Sequence, residues 1–111
     1  MQPRVFIPQL VERWDPASQT SIPVFDFTSA TVYGTLVPIL AAEDNIRFLA
    51  RITDKIRAAL ANYTEDDYFV AVGDPSVIAI CAGLILRRNQ RMKLLRWDKK
   101  LACYTVLDIN V

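Results

Sequence analysis

The residues best placed to do chemistry are Gly73-Asp74-Pro75-Ser76, set between the apolar run Tyr68 to Val72 and a second one, Val77 to Leu86. A buried run, a tight turn and a long apolar run read as strand, turn and helix. In α/β folds that junction is a common ligand site, because free N–H groups at a helix start attract anions. Ser76 would add a hydroxyl for a phosphate. Against this, Asp74 sets a carboxylate where the phosphate would lie, and Pro75 removes a donor. One glycine is also far short of a GxGxxG or GxxxxGK[ST] loop. As a helix start the residues need no ligand: Asp74 caps and Pro75 opens the first turn. Gly73, Asp74 and Ser76, with Arg96 and Trp97 beyond the helix, are the candidate ligand-binding set.

Other chemistry is thin. There is no histidine, so the usual general base and the commonest transition-metal ligand are missing. Cys81 lies within the apolar run and Cys103 within another, with no CxxC spacing. Both read as buried, reduced thiols. A nucleophilic cysteine needs a base and a lowered pKa, and Cys81 is offered neither. Glu65-Asp66-Asp67 resembles no metal loop, and adjacent carboxylates on a loop repel and stay solvated. No metal and no cofactor is expected, and an enzyme is the least favoured class.

Seven of the thirteen basic residues fall between Arg87 and Lys100, beside Trp97 and Tyr104. Such a stretch could bind nucleic acid by phosphate contact and base stacking. Alternation divides it, however: Met92, Leu94 and Arg96 share one strand face, and Lys93, Leu95 and Trp97 the other. Arg87 and Arg88 also suit a helix C-terminus, where cations meet the dipole. A solvated rim is the simpler reading.

The elements that must position these residues follow from periodicity and punctuation. Val5 to Ile7, held between Pro3 and Pro8, reads as an edge strand, since proline donates nothing to a ladder. Glu12 to Ser21 reads as a polar loop, Ile22 to Phe27 as a second strand, and Tyr33 to Leu40 as a third whose Pro38 puts it at an edge or ends its pairing early. Leu49, Ile52, Ile56 and Leu60 recur at helical spacing, predicting a helix from Glu43 to Asn62 capped by Asp44 or Asn45. Tyr68 to Val72, a helix from Pro75 to Asn89, Met92 to Trp97 and Ala102 to Val111 complete the order β-β-β-α-β-α-β-β. Right-handed crossovers make the third, fourth and fifth strands parallel, with the last closing a hairpin on the fifth. The fold class is α/β: one small domain, a mixed sheet with a parallel centre, two helices and antiparallel edge strands.

At 111 residues, 52% hydrophobic, the chain suits one folded domain. A net charge of +1 gives no global pull toward nucleic acid or anionic lipid. No apolar stretch approaches the ~18 residues of a membrane span, so a cytoplasmic location is expected. The second helix has no polar face before Arg87, which implies burial on two sides. A small domain offers little second cover, so a homo-oligomer is expected, with Val77, Ile80, Cys81, Leu84 and Ile85 as its interface.

Val5-Phe6-Ile7-Pro8-Gln9, Pro23-Val24-Phe25-Asp26, Tyr33 to Val37, Asp66-Asp67-Tyr68, Val72 to Ser76 and Leu94-Leu95-Arg96-Trp97-Asp98 together resemble a family of short tailed-bacteriophage proteins, marine podophages included. The Gly-Asp-Pro turn and the Leu-Arg-Trp-Asp strand end are its most specific parts. Asn89-Gln90-Arg91 departs from it, since similar chains are richer there in Gly and Asn. The resemblance implies no activity. It implies a viral protein made in the infected host's cytoplasm, whose partners are host or phage proteins or nucleotide signals. The leading expectation is therefore a self-associating protein-interaction module. The alternative is a nucleotide or nucleic-acid binder using the Gly73 to Ser76 turn and the Arg87 to Lys100 rim.

Overall fold

Five strands form the main sheet of the computed structural model, which describes residues 2–111. In chain order they are β1 (Arg4–Gln9), β4 (Thr35–Leu40), β5 (Tyr68–Val70), β6 (Arg91–Asp98) and β7 (Cys103–Asn110). Between the first two lie a separate hairpin, β2 (Glu12–Asp15) with β3 (Thr20–Pro23), and a 3-10 turn at Thr28–Val32. Helix α1 (Leu49–Ala59) joins β4 to β5, and α2 (Pro75–Asn89) joins β5 to β6.

The order across the sheet is β4-β1-β5-β6-β7. β1 runs parallel to both neighbours, β5 parallel to β6, and β7 antiparallel to β6. The parallel centre, the closing hairpin and the edge position of β4 with its Pro38 are as the sequence predicts. β1 is not at an edge: it is the second strand, paired on both sides. Proline needs only a position without a ladder bond, and Pro8 has one. Pairing with β5 covers Val5 and Phe6 alone, and the β4 register passes over Pro8.

Alternation divides the strands between two cores. Phe6, Phe69 and Met92 face α1 and α2, packing on Ile52, Ile56, Leu60, Val77, Cys81 and Ile85. Val5, Val70, Leu95 and Tyr104 face the other way and are covered by Ala30 of the 3-10 turn, with Phe27 and Tyr33 beside it. Right-handedness accounts for this. The two helical crossovers step one way along the sheet and share a face, while the β1-to-β4 connection steps the other way and covers the opposite face.

Two further expectations shift. The stretch Glu12 to Ser21 is a hairpin, not a loop, turned by Asp15, whose carboxylate accepts from Ala17 N and Ser18 Oγ. The predicted Ile22–Phe27 strand ends at Pro23. Helix α1 begins at Leu49 instead of Glu43, because Asp44 and Asn45 bind nearby backbone in turns. Asp44 Oδ2 accepts from Ala41 N at 2.8 Å, and Asn45 Oδ1 from Arg47 N at 2.9 Å.

Candidate functional site

β1 leaves the sheet toward one face through the hairpin, and β5 leaves toward the other through α2. Adjacent strands whose connections part in this way open a crevice at their C-terminal ends. A cleft of about 670 Å³ lies there, lined by Gln9 to Glu12 after β1, Ala42 to Ile46 after β4, Gly73 and Asp74 after β5, and Phe25.

The turn at its back is built tightly. Gly73 has φ +111°, in a region open to glycine, and an added Cβ would stand 3.2 Å from Gln9 Cβ. Gln9 Oε1 accepts the Asp74 amide at 3.2 Å. Asp74 in turn accepts from Ser76 N at 2.7 Å, as an N-cap, and Pro75 opens the helix. The backbone donors a phosphate would use at this helix start are therefore partly taken by the chain itself.

The electrostatics of the cleft come from three separate connections. Glu12, Glu43, Asp44 and Asp74 are its charged lining, and no lysine or arginine is among the lining residues. Lys55 reaches Asp44 Oδ2 at 2.6 Å. That hydrogen bond, with the one from Ala41 N, holds the Asp44 carboxyl below the usual carboxylate range. A second, mostly apolar hollow of about 380 Å³ shares Leu10, Val11, Glu12 and Phe25 with the cleft and continues to Phe27 and Leu36. The exposed Phe25 ring stands where the two meet.

A model of the Phage Pam3 gp32-like protein family matches residues 3–111. The chain belongs to that family. No curated protein and no solved structure matches this phage protein.

Of the ligand-binding set expected from the sequence, Gly73 and Asp74 line the cleft; Ser76, Arg96 and Trp97 do not. Arg96 and Trp97 occupy opposite faces of β6, and Trp97 packs edge-on against Tyr104 with ring centroids 5.1 Å apart. The basic stretch is divided as well. Arg87, Arg88 and Arg91 lie at one end of β6, and Arg96, Lys99 and Lys100 at the other, about 20 Å away at strand rise. Arg88 donates to Ala61 O just past α1, Arg91 holds Asp108, and Lys93 donates to Asp66 O while covering the Tyr68 ring.

Asp67, expected to be solvated, is 2% exposed. Its carboxylate accepts from Arg4 N, Arg4 Nη2 and Thr64 N at 2.9, 2.8 and 2.8 Å. Burial alone would raise its pKa, but these donors outweigh burial and hold it low. It clamps the start of β1 to the loop before β5. Cys81 is fully buried, and burial pushes its thiol up to about 12, the opposite of activation.

Along α2, Val77, Cys81 and Ile85 are buried in the chain's own core. These three face the sheet, so of the five interface residues expected from sequence only Ile80 and Leu84 retain surface. The outward positions Ser76, Ala79 and Gly83 are small and exposed, which is how a single chain carries so apolar a helix. No helix among the described residues is long and apolar enough to cross a membrane.

Proposed function

We propose that this phage protein is a protein-interaction module of the infected host's cytoplasm. It self-associates, and it binds a segment of another protein in the crevice beside β1 and β5, without catalysing a reaction. The observation that carries this reading is the cleft's lining: four carboxylates, of which Asp44 alone is paired with a cation, Lys55, and the Phe25 ring leading into an apolar hollow. That pairing suits a peptide with a lysine or arginine beside an apolar side chain. It opposes a nucleotide, whose phosphates would meet Glu12, Glu43 and Asp74 with no basic group to offset them. The scatter of the basic residues, with Arg88, Arg91 and Lys93 engaged inside the chain, argues the same way against a nucleic-acid surface.

The test is calorimetry and thermal shift with short basic-apolar peptides, beside ATP and a cyclic dinucleotide. A peptide that binds, loses affinity with salt and fails against Glu12→Gln/Glu43→Gln supports the reading. Nucleotide binding that stabilises the wild type would replace it with the alternative.

A further inference from the structure

The two edges of the sheet are unlike. β4 is six residues long and carries Pro38, the kind of residue that blunts an edge. β7 is eight residues long, has neither proline nor glycine, and pairs with β6 through eight consecutive positions without a bulge. Its one charge, Asp108, is held by Arg91 through bonds of 2.9 and 2.6 Å.

The phase of the hairpin says which groups the open side presents. Val111 N donates to Gln90 O at 3.1 Å. Antiparallel ladders alternate, so Arg91 and Asn110 form a non-hydrogen-bonded pair, and so do Lys93 with Asp108, Leu95 with Val106, and Trp97 with Tyr104. The backbone groups of Tyr104, Val106, Asp108 and Asn110 therefore point away from β6. The Tyr104 carbonyl already accepts the Tyr33 hydroxyl at 2.8 Å. Val106, Asp108 and Asn110 remain as a row of outward donors and acceptors.

Resting on the self-association proposed above, we infer that β7 pairs antiparallel with β7 of a second copy, joining two sheets into one ten-stranded sheet. The row is self-complementary about a twofold axis, as an isologous contact requires. Charge disfavours one register. An axis at Asp108 would set two carboxylates opposite each other, which is destabilising. An axis at Leu107 instead lets Val106 exchange backbone bonds with Asp108 of the second copy, and brings Asn110 to the Tyr104 N–H. It also sets the two Leu107 side chains, each 39% exposed, against one another. The outward face of α2 offers a second copy much less, being lined by Ser76, Ala79 and Gly83.

Light scattering and amide exchange by NMR on the full chain test this. Val106→Pro removes an outward donor while leaving the β6 ladder intact. Val106→Lys places a charge on the edge without any proline strain, should the first variant fold poorly. The expected result is twice the 12.6 kDa chain mass, with Tyr104 and Asp108 amides exchanging at least about 100-fold slower than in the variants, which are monomers. A wild-type dimer whose Tyr104 and Asp108 amides exchange as fast as in Val106→Lys overturns this interface and leaves self-association standing. A wild-type monomer at micromolar concentration overturns both.

Discussion

Gln9 at the end of β1 accepts the Asp74 amide at the start of α2, 3.2 Å away, so one side chain ties together the two strand exits that frame the cleft. The contact depends on Gly73, whose missing Cβ leaves room for Gln9. Gly73→Ala should cost about 1–3 kcal/mol, through positive φ and the crowding of Gln9 together. Asp74→Ala should cost about 0.5–2 kcal/mol as a lost cap, and Asp74→Asn little. Urea denaturation checks all three. If Asp74→Asn keeps its stability but loses peptide binding, the carboxylate acts on the ligand as well as on the helix.

Asp67 makes the acid limb of stability predictable. Its folded pKa lies below the ordinary 3.8, so its contribution is complete above that value. It is lost as pH falls through the lowered folded value. Asp44 and Asp108 shift the same way, each held by its basic partner. Asp67→Asn should cost about 1.5–3 kcal/mol at neutral pH, the range for hydrogen bonds to a charged group, and flatten the decline between pH 5 and 2. Denaturation midpoints across that range give the answer. An unchanged slope in the variant means the clamp is not what titrates.

Gly34 is constrained by space alone. A Cβ there would stand 2.3 Å from Pro3 O, beside the Thr35 N–H bond to that same carbonyl that sets the β1–β4 register. Gly34→Ala should destabilise by about 1–3 kcal/mol, because backbone must move to admit one methyl. Thermal melts comparing it with Thr35→Ala separate steric crowding from ordinary strand preference.

Gly83 should behave in the opposite way. Its Cβ would meet nothing within 4 Å. Gly83→Ala therefore gains about 0.5–1 kcal/mol of helix stability and leaves the oligomer intact. Loss of association in this variant, seen by light scattering, would move the interface from β7 to α2.

Local signals in the sequence are reliable where a residue answers to its neighbours. Asp74 and Pro75 name their own helix start, and Pro38 names its edge. Pro8 misleads because the relevant neighbour, β5, is far along the chain and pairs only briefly. The β2–β3 hairpin has no buried strand face, so its residues carry no alternation to read. The buried state of Asp67 depends on Arg4, 63 positions away, and nothing near Asp67 announces it. The cleft is hidden for the same reason. Glu12, Glu43 and Asp74 belong to three connections, and only the strand order brings them together.

That strand order also has a kinetic side. β1 is made first, yet one of its partners begins at Thr35 and the other at Tyr68. Until β5 has been synthesised, Val5, Phe6 and Ile7 form an apolar segment with one flank unpaired, whereas β6 and β7 need only a four-residue loop to close. The C-terminal hairpin should thus gain structure early, and docking of β1 between β4 and β5 should limit the rate, since long loops must close before their contacts form. A nascent chain stalled before Tyr68 would expose that segment to whatever binds apolar strands in the cell.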